Sequence, residues 1–144
     1  MIAVDTNVLV AASRDDALGH ELARPALTAL AEAPHAWAIP WPCLHEFLAI
    51  VTHPRIFDPP TSLVRALDQV DSWTESPSLV LLTETVNYWP QLRAVLAASD
   101  VIGPRVHDAR IAALCLVHGV EELWTQDRDF SRFPALKTHN PLTA

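Results

Sequence analysis

The stretch Ile2-Ala3-Val4-Asp5-Thr6-Asn7-Val8-Leu9-Val10 decides the fold class of this chain. Residues 2–5 predict a short β-strand that ends on the acid Asp5. Thr6 and Asn7 are residue types that commonly begin a helix, and the apolar residues 8–10 continue that helix. A strand that passes directly into a helix is the repeating unit of an α/β protein, and here the junction carries an acid.

The rest of the chain repeats this alternation of short apolar strands and amphipathic helices. No unit of about 20–50 residues recurs, so the pattern excludes a solenoid or a propeller. It predicts an α/β fold with a central, mostly parallel sheet of about four to five strands flanked by helices. Strands are predicted over residues 37–39, 79–82, 121–124 and 136–138, and helices over residues 17–33, 42–51, 61–73, 86–98 and 107–118.

The spacing of apolar residues also predicts which side of each helix faces the core. Pro25 must lie near the start of its helix or kink it, and Gly119 stands where the end of a helix favours glycine. The predicted inward residues are Leu44, Phe47, Leu48 and Val51 in helix 42–51, Leu63, Leu67 and Val70 in helix 61–73, Trp89, Leu92 and Leu96 in helix 86–98, and Ile111, Leu114 and Cys115 in helix 107–118.

The length and composition of the chain indicate one domain. It has 144 residues, half of them hydrophobic, which predicts a single domain over residues 1–144. The longest apolar run, residues 111–117, is far shorter than the roughly 18 residues that span a bilayer. The first residues lack the positive segment of a secretory signal, and Cys43 and Cys115 stand apart in apolar segments. We therefore expect a cytoplasmic protein with no membrane segment and with two buried free thiols.

The charge of the chain limits its ligands. A formal net charge of −7 opposes general binding of nucleic acid and favours cations or a basic partner. Any RNA binding must therefore be local, and it would depend on arginines, because the only lysine is Lys137. The candidate RNA phosphate contacts are the arginines near the acidic motifs, and for each of them a solvated surface position is an equal alternative. They are Arg14, Arg105, Arg110 and Arg128.

Four acids stand where an α/β fold can bring them together. Asp5 and Asp127 each follow a predicted strand, while Glu46 and Asp108 lie on predicted helices. If the two strands are neighbours, the carboxylates converge at the carboxyl edge of the sheet. Clustered carboxylates repel one another unless a cation lies among them, and hard cations such as Mg²⁺ prefer oxygen ligands. Such a site hydrolyses phosphodiesters with a water activated by one or two metal ions and needs no side-chain nucleophile.

Each acid also has a purely structural interpretation. Asp5 alone could cap the first helix, and Asp108 alone could be a partner of a helix dipole. Glu46 lies beside the apolar face of its helix and is expected to be partly buried, where an unpaired acid is costly. The four acids taken together favour a functional site.

Four blocks of the sequence resemble the PIN-domain family of ribonucleases, and in particular its VapC-type toxins. The blocks follow the order of the family and cover the chain from its second residue to beyond residue 133. They are the opening stretch around Asp5, His45-Glu46-Phe47, residues 106–114 around Asp108, and residues 125–133 around Asp127; Thr52-His53-Pro54-Arg55, Pro134 and Asn140-Pro141-Leu142 resemble a mycobacterial-type branch of these toxins.

The resemblance implies a Mg²⁺- or Mn²⁺-dependent endoribonuclease that is the toxin of a toxin–antitoxin pair and a homodimer. Its cognate antitoxin would be a small protein that occupies the cleft, and the net charge favours a basic or arginine-bearing segment in that partner. By the resemblance, Asp5, Glu46, Asp108 and Asp127 are catalytic and hold the metal or orient its waters. Thr6, Asn7 and Thr125 are hydrogen-bonding supports, and Asp129 is a further candidate support that could cap the turn after it.

Three rival functions use similar residues. A haloacid-dehalogenase-like phosphatase needs a second aspartate two residues after the first, and that position is Asn7. A receiver domain needs a late catalytic lysine, and Lys137 lies outside a suitable strand end. A catalytically silent PIN-like module that binds protein or RNA is the alternative from a different class, although the chain retains all four acids.

Overall fold

All five strands of the chain lie parallel in one sheet, because helical segments carry the chain back after each strand. The computed structural model describes residues 1–144, and it confirms the predicted α/β fold class. The strands are β1 (Ile2–Val4), β2 (Trp37–Pro40), β3 (Leu79–Leu82), β4 (Glu122–Trp124) and β5 (Thr138–His139), in the spatial order β3-β2-β1-β4-β5.

Six α-helices surround the sheet. Neighbouring helices pack in two groups, one in which α1 contacts both α2 and α3, and one formed by α5 and α6. No helix has the combination of length and apolar character that crossing a bilayer requires. The helices are α1 (Thr6–Ser13), α2 (His20–Glu32), α3 (Trp41–Val51), α4 (Leu63–Thr74), α5 (Tyr88–Ser99) and α6 (Val106–Val117), and two short 3₁₀ helices span Gly103–Arg105 and Arg128–Arg132.

The chain changes direction across the sheet between β1 and β4. From β1 it moves outward through β2 to β3, and α5 and α6 then return it to β4 on the other side of β1. Val4 pairs with Trp124, and the Asp5 N–H donates to the Trp124 carbonyl over 2.9 Å, so the two strands end side by side. Such a switch point leaves a crevice at the carboxyl ends of parallel strands, where ligands bind in folds of this kind.

The central strands are buried on both faces of the sheet. Ala3, Val4 and Leu123 are inaccessible to solvent, and all of β2 is buried. Parallel sheets covered by helices have continuous apolar strands for this reason. The indole of Trp37 is fully buried, and its N–H donates to the Ser76 hydroxyl over 3.0 Å, so its one polar atom is satisfied.

The predicted start of α2 at residue 17 was wrong, and Pro25 does not lie in the first turn of the helix. The helix begins at His20, after Gly19 in a left-handed conformation with φ 86°, and Pro25 lies inside it. A proline there cannot donate to the carbonyl four residues earlier, that of Glu21. Both Pro25 and Glu21 are exposed, so water can satisfy that carbonyl and the helix continues.

The predicted inward face of α4 was also wrong at two of its three residues, since only Val70 packs against the core. Leu63 and Leu67 are 61% and 45% exposed, whereas Ala66 and Trp73 are buried. Trp73 packs edge-on against Phe47 of α3 with ring centroids 4.8 Å apart. This aromatic contact turns the helix so that the row of leucines faces solvent, because the larger ring buries more apolar area.

The remaining inward faces are confirmed except at one tryptophan. Trp89 of α5 is 61% exposed, and Val95 is the buried residue of that helix. Trp89 is the second residue of the helix, a full turn and more before the buried Val95. On α6, Ile111, Leu114 and Cys115 are buried as predicted, and Gly119 adopts φ 70° just after the helix.

Candidate active site

A cavity of about 610 Å³ opens at the carboxyl ends of β1 and β4. It lies at the switch point of the sheet, with walls formed by the starts of α1, α3 and α6 and by the turn after β4. The four predicted acids all line it, although they come from four separate segments of the chain. They are Asp5, Glu46, Asp108 and Asp127.

Asp5 is the most buried of these acids, with 7% of its surface exposed. It is the N-cap of α1, and its Oδ1 accepts from the Thr6 N–H over 2.8 Å. The helix begins at Thr6, as predicted, and Asp5 has the capping role that the sequence also allowed. The cap uses one oxygen of Asp5, so the capping interpretation and a role in the cavity are compatible.

Thr125 connects the ends of β1 and β4 through its hydroxyl. The hydroxyl donates to Asp5 Oδ2 over 2.7 Å and accepts from the Asp127 N–H over 3.0 Å and from Asn7 Nδ2 over 3.2 Å. Asn7 Nδ2 also lies 3.2 Å from Asp5 Oδ2, and Asn7 Oδ1 accepts from the Gln126 N–H over 3.1 Å. These bonds fix both aspartates relative to one another.

Cys43 contributes a further donor to Asp5 that sequence reasoning missed. Its thiol donates to Asp5 Oδ1 over 3.5 Å. Burial raises the pKa of the Cys43 thiol well above its ordinary value, and the nearby charge of Asp5 raises it further, so the thiol keeps its proton. Both cysteines are buried and free, as predicted.

Glu46 lies on the opposite wall and is exposed, which contradicts the prediction of partial burial. The helix α3 buries Cys43, Leu44, Phe47 and Val51, and Glu46 falls just outside that face. Its Oε2 accepts from the Thr6 hydroxyl over 2.9 Å. Thr6 thus orients Glu46, while the open cavity supplies the solvent that an ionised carboxylate requires.

Asp108 and Asp127 complete the acidic wall. Asp108 lies in the first turn of α6, and Asp127 caps the 3₁₀ helix that follows it by accepting from the Asp129 N–H over 2.8 Å. Burial raises the pKa of Asp108, and the negative charges of Asp127 and Asp5 raise it further, against the opposing effect of Arg105. The carboxylates are therefore close enough to destabilise one another's ionised forms.

Burial also raises the pKa of Asp5, although hydrogen bonds from Thr125 and Thr6 oppose that change. The donor set around the cavity consists of carboxylate oxygens, which hard divalent cations prefer. No three His, Cys, Asp or Glu side chains lie close enough to ligate a single ion directly. The residues therefore fit a cation of the Mg²⁺ type, which takes one or two carboxylates and keeps several waters.

The sequence matches a known family over the part of the chain that contains these four acids. The family model for the PIN domain matches residues 2–136. Ribonuclease VapC43 of Mycobacterium tuberculosis is 34% identical to the chain over 142 residues, which cover 99% of this chain and 96% of the relative. The chain is a PIN domain of the VapC type.

Two solved structures share its fold. The crystal structure of VapBC2 from Rickettsia felis, bound to a DNA fragment from its promoter, has a TM-score of 0.67 at 22% identity and covers 97% of this chain and 98% of that chain. Mycobacterium tuberculosis VapC20, described as a Sarcin-Ricin loop cleaving toxin, has a TM-score of 0.66 at 18% identity, with 91% and 93% covered. At these identities the similarity concerns the fold of the PIN domain.

The four candidate arginines of this PIN domain occupy different surroundings. Arg110 lines the cavity and pairs with Glu84 over 3.5 Å, and Arg105 pairs with Asp129 beside it. Arg128 is exposed at the turn after Asp127. Asp129, the candidate support, thus contacts the cavity rim through Arg105.

Arg14 lies away from the cavity, so the structure gives the predicted phosphate contact at this residue no support. Its guanidinium donates to Asp16, to the Pro59 carbonyl and to the Thr61 hydroxyl. It also lies 4.2 Å from the centre of the Phe57 ring. Arg14 therefore connects the end of α1 to the loop before α4.

Two histidines that were not among the predicted site residues also line the cavity. His45 and His107 each precede an acid of the site, Glu46 and Asp108. They form no HxxxH pair, which is why metal-ligand spacing did not detect them. Their position next to an acidic motif was the only available signal.

Replacing Thr125 should test the hydrogen bonds that hold the PIN-domain aspartates. In Thr125→Ala, Asp5 and the Asp127 N–H lose a buried partner, so we expect the free energy of unfolding to fall by about 1–3 kcal/mol. Thr125→Ser keeps the hydroxyl and should lose clearly less. Urea denaturation of both variants in chelator measures the difference, and equal losses would show that the methyl group, not the hydroxyl, matters.

The raised pKa of Asp5 predicts a pH dependence of stability in chelator. Between its ordinary value of 3.8 and its raised value in the fold, the folded state binds the extra proton, so the stability of the wild type falls as pH rises through that window. Asp5→Asn lacks this loss, and its stability relative to the wild type should increase with pH.

The matched control for this experiment is Asp16→Asn. Arg14 lowers the pKa of Asp16 below 3.8, so the wild type gains stability from Asp16 as pH rises and the control variant should lose relative stability. Thermal unfolding measured from about pH 3 to pH 7 gives both slopes. Slopes of the same sign for the two variants would contradict the assigned pKa of Asp5.

Proposed function

We propose that this chain is an endoribonuclease that hydrolyses RNA phosphodiester bonds with the help of Mg²⁺ or Mn²⁺. The observation that carries the proposal is the meeting of four acids around one cavity at the switch point of a VapC-type PIN domain. Relatives with this sequence pattern are named ribonucleases. A bound divalent cation supplies Lewis acidity and lowers the pKa of water, so that a nucleophile forms at neutral pH.

The four acids have distinct parts in this proposal. Asp5, Asp108 and Asp127 lie on one side of the cavity, where Thr125 and Asn7 hold two of them at fixed separation, and they would bind the cation directly or through water. Glu46 stands opposite with Oε2 bound to Thr6, which leaves Oε1 to accept from water. The site needs no side-chain nucleophile, since the water attacks the phosphorus.

We propose local contacts to RNA, because the net charge of −7 opposes wider binding. Arg110 lies in the cavity wall, and Arg105 and Arg128 lie near its rim. Arg110 and Arg105 are held by Glu84 and Asp129, so their guanidinium groups are oriented before RNA binds. Each retains N–H donors beyond those in its ion pair.

We propose that the chain acts as the toxin of a toxin–antitoxin pair in the cytoplasm. Similarity to VapC20, described as a toxin, and to the VapBC2 complex supports this assignment. The acidic cavity suits a small antitoxin with a basic or arginine-bearing segment, which would compete with the cation for the same carboxylates.

We also propose a homodimer formed by one domain over residues 1–144. The strand β5 lies beyond the matched residues 2–136 and still pairs with β4, which supports a domain that extends past the family match. Large apolar side chains are exposed on α4, in the turn before α5 and at the start of α5, as at protein interfaces. They are Leu63, Val64, Leu67, Val86 and Trp89.

Metal removal and Asp5→Asn should both abolish cleavage. We expect the purified chain to cleave structured RNA with Mg²⁺ or Mn²⁺ and not in excess chelator. Binding to the native state raises the melting temperature, so Mn²⁺ should stabilise the wild type more than Asp5→Asn, which loses one negative charge. Asp16→Asn, away from the cavity, is the matched control and should keep both responses. Full cleavage in chelator would refute the mechanism, and a metal-responsive but inactive wild type would favour the silent binding module.

Pulldown from the native host should recover a small partner that inhibits cleavage. The partner's basic segment should bind the acidic cavity, so its affinity should fall when Asp108→Asn and Asp127→Asn remove two negative charges. High salt should weaken the complex for the same reason. Recovery of a partner that leaves cleavage unchanged would remove the toxin assignment while leaving the nuclease assignment in place.

A further inference from the structure

A second cleft, of about 680 Å³, adjoins the acidic cavity. The two share Pro104 and Asp108, so Asp108 forms part of the wall of both. The other side of the second cleft is formed by the segment after α5 and by the end of the 3₁₀ helix Arg128–Arg132. We call it the Arg132 cleft, after the arginine at that end.

Two guanidinium groups line the Arg132 cleft. Arg105 is paired with Asp129 through Nη1, and its other N–H donors are not used in that pair. Arg132 is exposed and forms no ion pair. The acids of the lining are Asp100 and Asp108, and Asp108 also faces the carboxylates of the neighbouring cavity. Arg132 is thus a cation without an ion-pair partner, and it shares the cleft with these two acids next to the proposed reaction site.

An apolar side chain is displayed in the same cleft. Ile102 is 81% exposed, although its neighbour Val101 is buried. Asp100 and Gly103 on either side adopt left-handed conformations, with φ of 58° and 62°. These two turns fix the direction of the segment, and a surface that combines an exposed apolar group with guanidinium donors matches the base and the phosphate of a nucleotide.

We propose that the Arg132 cleft binds the nucleotide next to the scissile phosphate. The phosphate of that nucleotide is held by Arg132 and by the remaining donors of Arg105, and its base or ribose lies against Ile102. The inference rests on the proposed ribonuclease function. It gives the RNA strand a path across the protein surface, from the acidic cavity past Asp108 into the Arg132 cleft.

An RNA strand fits this cleft better than the basic segment of a protein. An arginine-bearing segment gains from the acidic cavity but is repelled by Arg132. An RNA strand carries a phosphate at every nucleotide, so a strand with one phosphate in the cavity brings another to the neighbouring wall. Arg132 should therefore matter for RNA cleavage and not for inhibition by a basic partner.

The test compares Arg132→Gln with Arg132→Lys and with the control Arg24→Gln, an exposed arginine on α2 that forms no ion pair. The probe is a fluorescently labelled single-stranded RNA of mixed sequence, cleaved with Mn²⁺. We expect Arg132→Gln to raise KM roughly three- to tenfold, as for loss of one phosphate hydrogen bond, with kcat nearly unchanged. Arg132→Lys should restore part of the loss, and Arg24→Gln should equal the wild type.

The salt dependence separates a phosphate contact from a structural role. In a plot of log kcat/KM against log salt concentration, the slope of Arg132→Gln should be shallower than that of the wild type by about 0.7, as for one phosphate of a single strand. Ile102→Ser should raise KM and leave the slope unchanged, because it removes an apolar contact. Melting temperatures verify that each variant is folded.

Three outcomes would overturn the inference. The first is an Arg132→Gln variant with the KM and salt slope of the wild type, and the second is one that loses only kcat. If the wild type cleaves no RNA with any divalent cation, the proposed function fails. Anisotropy of a labelled twelve-nucleotide oligouridylate then tests the cleft alone, and equal affinity for wild type and Arg132→Gln is the third contradicting outcome.

Discussion

The buried carboxylate of Asp5 is the constraint on which the rest of the site depends. It lies at the end of β1, where the sheet changes direction, and burial opposes its ionisation. Four donors compensate, from Thr6, Asn7, Cys43 and Thr125. Two of the donors lie at the start of α1, one lies on α3 and one follows β4, so three neighbouring segments help to solvate one charge.

The sequence was sufficient to predict where the acids meet, because that depends on periodicity and chain order. Short apolar runs identify the strands. Acids that follow the ends of two neighbouring parallel strands, as Asp5 and Asp127 do, lie at the same edge of the sheet. The predicted helices and the family motifs together placed Asp108 and Glu46 at the same cavity. Periodicity does not give the order of the strands within the sheet.

What the sequence could not predict is set by tertiary contacts. The rotation of α4 is fixed by Trp73 against Phe47, two residues from different helices, and not by the leucine row visible in its own sequence. Arg14 has the charge of a phosphate ligand but is engaged by a proline-rich loop 45 residues away. Glu46 is exposed because it lies just beside the buried face of its helix, next to the buried residue Phe47.

The acidic cavity and the Arg132 cleft share the charge of Asp108, but they favour ligands of opposite charge. Burial raises the pKa of Asp108 and the neighbouring carboxylates raise it further, so the cavity favours any ligand that brings positive charge, whether a divalent cation or a basic segment. Asp108 also faces the Arg132 cleft, where its charge opposes a phosphate. A ligand that neutralises Asp108 from the cavity side removes that opposition. On the proposed function, a cation would therefore prepare the neighbouring cleft for RNA, whereas a basic segment would neutralise the same carboxylate while blocking the path of the strand. On the proposed function, RNA binding by this protein of net charge −7 is therefore strongest beside the cavity and when a cation occupies it.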